Sequence, residues 1–262
     1  MNIRVFTSDI VTREAAKALN ALFAEQKGKT LLFLSSGGSS LKLLDYIDPK
    51  NFGPNSTIGA LDERYSEDSL LNNCTLIERS SFWAQAKKNG AHLIDTKVSQ
   101  NESMESLALR YEKELRDWVT TNKSNTGSTD AGTIIATVGI GPDGHTSGIM
   151  PYPENPEFFQ KTFCNENRWI ASYDAENKNP HRLRITTTVP FFKKIDAAII
   201  FMTGQDKKPA LEKLLVEKSE DKKGAMCRKG TKVGGVGGIN ESPCRIWREI
   251  PGTEIITDIN LK

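Results

Sequence analysis

The sequence predicts an α/β fold with a mainly parallel central sheet and helices on both faces, and three observations predict it. Short apolar runs at 30–34, 57–61, 133–138 and 197–202 alternate with longer stretches whose apolar residues recur every three or four positions. The run at 30–34 is apolar without a polar alternation, as expected of a strand buried on both faces. Each run stops at a polar or glycine-bearing turn, so strand, turn and helix repeat in order, the pattern of a parallel sheet.

Taken in order, Met1 to Phe6 read as a short strand, with no apolar core and small-residue cleavage site of a signal peptide following it. Val11, Ala15, Ala18, Leu19, Leu22 and Phe23 then share one helix face between 11 and 26. The strand at 30–34 ends in Ser35-Ser36-Gly37-Gly38-Ser39-Ser40, and a helix through Leu41, Leu43, Leu44 and Ile47 is expected after it. The strand at 57–61 ends in Asp62-Glu63-Arg64, followed by a helical region through Leu71, Leu76 and Ile77.

Met104, Leu107, Ala108, Tyr111, Leu115 and Trp118 mark the clearest amphipathic helix, a core-packing face. From 122 to 132 Asn, Ser, Thr, Gly and Asp dominate, a surface loop rather than a domain boundary, because the strand at 133–138 resumes the alternation. The strand at 197–202 enters Thr203-Gly204-Gln205-Asp206 and a helix at about 209–217. A Gly/Lys-rich segment at 222–240 reads as a loop or hairpin, and 244–259 as an edge strand or two. A single domain over 1–262 is expected.

Composition narrows the partners. With 35 Lys and Arg against 33 Asp and Glu, the net charge of +2 lacks the concentrated basic character of a nucleic-acid binder. No run of about 18 apolar residues suggests a membrane span. The four cysteines include no C-x-x-C pair and the three histidines no zinc-site spacing, which fits a reducing, cytoplasmic setting without a structural metal.

Ligands of open α/β sheets collect at the carboxyl ends of the strands. Four clusters belong there. Ser36, Gly37, Gly38, Ser39 and Ser40 lie between a strand and a helix start, where free backbone N–H groups and hydroxyls suit an anion, although such residues also make ordinary turns. No Gly-Lys-Ser/Thr ending makes the loop a Walker A motif. Asp62, Glu63 and Arg64 suit either a sugar or a surface ion pair.

Gly139-Ile140-Gly141-Pro142-Asp143-Gly144-His145-Thr146 is the most specific cluster, with Asp143 and His145 two apart. A histidine, with an unperturbed pKa of about 6.5, can take a proton from water and return it to a leaving oxygen; bonding to a local carbonyl is the plain alternative, and His92 and His181 are assigned to it. Gly204-Gln205-Asp206-Lys207 is the fourth cluster, and its Lys207, with Arg184, adds positive charge near strand ends, which suits a phosphate or simple solvation.

These clusters, together with Pro151, Ile185, Thr186, Thr187 and Thr188, fall in the order that resembles the glucosamine-6-phosphate isomerase/6-phosphogluconolactonase family, over roughly 31–215. The resemblance implies a Rossmann-like α/β sandwich that binds a sugar phosphate and no nucleotide or other cofactor. Within the family the deaminases resemble Asp-Gly-His-Ile-Ala-Phe-Asn-Glu, whose glutamate assists ring opening, whereas this chain has Met150 at that position. The lactonases resemble Asp-Gly-His-Thr-Ala-Ser-Leu-Phe-Pro, and this chain keeps Thr146 and Pro151 while Ser147-Gly148-Ile149-Met150 replaces the middle.

Lactone hydrolysis is therefore the implied activity, an amino-sugar-phosphate deaminase or a non-catalytic sugar-phosphate-binding protein the alternatives. On the lactonase reading the resemblance implies His145 as general base and then acid, and Asp143 as the group that positions the site, with Asp62 beside them. It also implies Arg64, Arg184, Lys207 and the 36–40 loop as phosphate ligands.

Overall fold

The computed structural model describes residues 1–123, 131–216 and 238–261, so most of the loops expected at 122–132 and 222–240 lies outside the described residues. In chain order the elements are β1 Asn2–Val5, α1 Val11–Glu25, β2 Leu31–Ser35, β3 Ser56–Ala60, β4 Asp62–Arg64, α2 Asn73–Glu78, α3 Ser81–Lys88 and β5 His92–Leu93. They continue with α4 Met104–Lys123, β6 Thr133–Val138, α5 Pro156–Phe163, β7 Ile170–Asp174, β8 Leu183–Thr187, α6 Val189–Phe192, β9 Ala197–Met202, α7 Lys208–Leu215 and β10 Thr253–Thr257.

Seven strands form one sheet in the order β1-β10-β9-β6-β2-β3-β5, and every neighbouring pair is parallel. The expected fold class holds. Successive side chains of a strand point to opposite faces. Leu31 and Phe33 of β2, Ile135 of β6 and Ile199 and Phe201 of β9 accordingly pack with Val11, Leu19 and Phe23 of α1. Leu32 and Leu34, Ile134 and Ala136, and Ala198 and Ile200 pack on the other side with Leu107, Tyr111 and Leu115 of α4.

Both faces of the sheet are thus covered by the apolar stripe of an amphipathic helix, which is why the central strands read as unbroken apolar runs. Each fully buried Leu, Ile or Phe contributes about 1.5–3 kcal/mol of burial. Local signals fix the helix starts: Ser80 accepts from the Trp83 N–H at 3.1 Å before α3, and Asn155 accepts from the Phe158 N–H at 3.0 Å before α5, where Pro156 takes the first position.

A second, antiparallel sheet of order β4-β8-β7 was not anticipated. It opposes Asp62 to Thr186, Glu63 to Ile185 and Arg64 to Arg184. Ile170, Tyr173 and Ile185 of this sheet are buried in the core cluster that includes α4. The Leu61 N–H donates to the Ser35 carbonyl at 2.9 Å and the Thr187 hydroxyl to the Leu61 carbonyl at 2.8 Å, which tie the small sheet to the carboxyl end of β2.

Two segments differ from expectation. The segment expected as a helix through Leu41 is a 3-10 helix, Gly38–Tyr46, with only Ser40, Leu43 and Leu44 buried along it. The carboxyl-terminal segment is no edge: a 3-10 turn, Pro243–Glu249, buries Trp247, and β10 then enters the sheet between β1 and β9, leaving β1 outermost. Adjacent Ile255 and Ile256, buried on opposite faces, are the mark of an interior strand. No helix among the described residues is long and apolar enough to cross a membrane.

Candidate active site

The Gly139–Thr146 cluster follows β6 and is folded by its own backbone. The Gly141 N–H donates to the His145 carbonyl at 2.9 Å, the Gly144 N–H to the Gly141 carbonyl at 3.0 Å, and Thr146 and Ile149 exchange bonds of 3.2 and 2.7 Å. Gly144 has φ +87°, and a Cβ on Gly141 would overlap the His145 ring. Glycine at 141 is what lets the imidazole lie back over the loop.

There His145 Nδ1 lies 2.6 Å from Asp143 Oδ1, which also accepts from the His145 N–H at 3.1 Å. Burial alone would raise the Asp143 carboxyl, but the hydrogen bond and charge of His145 and the His145 backbone N–H outweigh it and hold Asp143 below its ordinary value. An ionised Asp143 keeps the Nδ1 proton, so the other ring nitrogen is the one free to act as a base. The His145 side chain is 30% exposed, enough for a substrate to reach it.

The loop is clamped from behind. Trp247 Nε1 donates to the Thr146 hydroxyl at 2.9 Å, which donates in turn to the Gly139 carbonyl at 3.1 Å, and the Cys244 N–H reaches the Gly144 carbonyl at 2.9 Å. Trp247 was not anticipated as a supporting residue, because its position depends on a contact 101 positions away in sequence.

The other clusters close around this loop. The 36–40 loop follows β2, next to β6 in the sheet, and the Ser36 N–H donates to the Thr137 carbonyl at 3.2 Å. A Cβ on Gly139 would stand 3.3 Å from Ser40 Oγ. Ser36 Oγ and Ser40 Oγ are buried and have no hydrogen-bond partner among the described residues. Buried hydroxyls without partners are costly unless a ligand engages them.

Asp62 and Arg184 form an ion pair between β4 and β8, with side chains 6% and 8% exposed. Gly148, at φ +75°, lies against Asp62, because a Cβ there would come within 3.0 Å of the Asp62 Cβ. Asp62 is thus a charge partner packed against the histidine loop, while the Nε atoms of Arg184 and Arg64 are buried with no acceptor among the described residues. His181, read from sequence as a locally bonded histidine, has its imidazole pushed below its ordinary pKa by burial and by the Arg64 and Arg184 charges.

Lys207 follows β9, whose neighbour is β6, so it stands at the same edge of the sheet. Burial holds its ammonium below the usual lysine value despite the Asp206 and Asp258 charges. The structure therefore gathers the 36–40 loop, Asp62, the 139–148 loop and Arg184 by direct packing or adjacency, and Lys207 by topology. Among the described residues no three His, Cys, Asp or Glu side chains are grouped to hold a metal.

Asn73, the first residue of α2, was not anticipated; its carboxamide fills the space where a Gly37 Cβ would stand and donates to the Asp62 carbonyl at 2.8 Å. The family model described as glucosamine-6-phosphate isomerases/6-phosphogluconolactonase matches residues 7–232. The chain belongs to that family.

A curated family relative, the 6-phosphogluconolactonase of Nostoc sp., is 23% identical over 199 residues, covering 75% of this chain and 76% of the relative. Among solved structures, the 6-phosphogluconolactonase of Plasmodium vivax matches with a TM-score of 0.68 at 16% identity, over 98% of this chain and 90% of that one. The Shewanella baltica 6-phosphogluconolactonase matches with a TM-score of 0.65 at 18% identity, over 98% and 96%. These likenesses extend the family's fold over nearly the whole chain.

Proposed function

We propose that the chain hydrolyses 6-phospho-D-glucono-1,5-lactone to 6-phosphogluconate, the lactonase step of the pentose phosphate pathway. The observation that carries the reading is the Asp143–His145 pair, 2.6 Å apart, on a loop that packs against the serine–glycine turn with its unpartnered hydroxyls. The named relatives, all 6-phosphogluconolactonases, support it.

Asp143 holds the Nδ1 proton, and Nε2 of His145 removes a proton from water as its oxygen adds to C1 of the lactone. Charge develops on the former carbonyl oxygen. The C1–ring-oxygen bond then breaks, and the imidazolium gives its proton to the departing oxygen, which becomes a hydroxyl. The carboxylic acid so formed releases a proton to solvent, so each turnover yields one carboxylate and one free proton. Arg64, Arg184, Lys207, Ser36 and Ser40 supply the charge and donors for the phosphate, whose dianion suits fixed cations and N–H groups at a strand end.

Deamination of an amino-sugar phosphate, the other reaction in the family description, is disfavoured by Met150. Its side chain is fully buried and its thioether has no proton to transfer. Proton release from freshly generated lactone, above the spontaneous rate, tests the reading. An inactive protein that liberates ammonia from glucosamine 6-phosphate would replace it with the deaminase.

A further inference from the structure

Glu63 is a fully buried carboxylate to which the proposed mechanism gives no task, and four donors converge on it. One oxygen accepts from the N–H groups of Arg64 at 2.7 Å and Asn73 at 2.6 Å, the other from the Cys74 N–H at 2.8 Å and the Thr96 hydroxyl at 2.9 Å. The first two free N–H groups of α2 are thereby satisfied by a residue of β4, ten and eleven positions earlier.

The consequence is geometric. With its backbone fixed by Glu63, Asn73 turns its carboxamide under Gly37, where any Cβ would overlap it, and its Oδ1 is buried with no partner among the described residues. The neighbouring Asn72 donates to the Arg64 carbonyl at 2.8 Å, and the Leu71 carbonyl accepts from Arg64 Nη1 at 3.3 Å. One carboxylate therefore fixes, through the 71–73 segment, both the floor of the serine–glycine loop and the seat of the Arg64 guanidinium.

We propose that Glu63 is a positioning residue for the substrate's phosphate, holding Asn73 beneath Gly37 and Arg64 in its seat so that loop and guanidinium face the same anion. This rests on the hydrolase reading above and adds to it a determinant of affinity for the phosphate end that touches neither phosphate nor the reacting carbonyl. A carboxylate serves here because all four of its partners are donors. The isosteric amide would turn an NH2 toward at least one N–H.

Calorimetric titration of the full chain with 6-phosphogluconate, and with gluconate for comparison, tests the role alongside steady-state lactone hydrolysis. Glu63→Gln is expected to weaken 6-phosphogluconate binding and raise KM by about tenfold or more, with kcat within about twofold and gluconate binding unchanged. Asn73→Ala keeps the backbone donors to Glu63 but removes the carboxamide under Gly37; it is expected to show the same split and carries the test should Glu63→Gln fail to fold. Tyr111→Phe, which removes the bond from the buried Tyr111 hydroxyl to the Ala60 carbonyl, is a destabilised control expected to keep the wild-type KM. Wild-type affinity and KM in both variants, or an equal rise of KM in the control, would overturn the positioning role while leaving the hydrolase reading intact. A wild-type protein that neither hydrolyses the lactone nor binds 6-phosphogluconate would remove that reading and the positioning role with it.

Discussion

Asp62 and Arg184 are paired by side chain although β4 and β8 oppose Asp62 to Thr186 and Arg184 to Arg64. The pair is diagonal across the small sheet, both members are buried, and Gly148 of the histidine loop rests on the carboxylate side. A buried ion pair adds little over an apolar pair of the same volume, but losing one partner leaves an uncompensated charge.

Asp62→Ala is therefore expected to cost about 3–5 kcal/mol of unfolding free energy, measured by urea denaturation. In a double-mutant cycle Arg184→Met on that background should recover part of the loss. Additive single losses would mean that the two groups do not depend on each other.

Gly141→Ala places a methyl group where the His145 ring lies. The ring must move off Asp143, and displacement of a catalytic group by about 1 Å costs on the order of 10²-fold in rate. The loop itself stays anchored by Trp247 and Cys244, so kcat is expected to fall far more than the melting temperature. Stopped-flow hydrolysis and a thermal melt on the same preparation check the pair of outcomes.

Stability should carry a signature of Glu63. Burial pushes its carboxyl up to about 7 from an ordinary 4.5, against the four donors that favour the charged form. A group whose folded pKa is raised contributes stability that is complete below the unfolded value and is lost as pH rises through the folded one. Measured relative to Glu63→Gln, which does not titrate, the wild-type unfolding free energy should decline between about pH 4.5 and 8, by about 3 kcal/mol. A flat difference across that interval would mean that Glu63 ionises in the folded chain as it does in the unfolded one.

The middle of the central sheet, β2, β3, β6 and β9, was legible because its signals are local. The apolar run of β2 and the three-and-four spacing of α1 and α4 each follow from neighbours within one element. The small sheet was not, since Asp62–Arg64 is three residues long and its partner strand lies some 120 positions on, so the pairing is set by tertiary contact and not by pattern. The same reason hid Asn73, whose seat under Gly37 depends on Glu63 reaching across from another element. The Asp143–His145 pair could be anticipated because both members lie in one glycine-rich turn, two residues apart.

Lactone hydrolysis by this chain depends on the Asp143–His145 pair as its base. The most direct measurement follows proton release from freshly generated 6-phosphogluconolactone at neutral pH, for the wild-type chain, His145→Ala and Asp143→Asn. Rapid turnover by the wild type, reduced by at least about 10²-fold in His145→Ala and strongly in Asp143→Asn, is the predicted result. Wild-type rates in His145→Ala would contradict it.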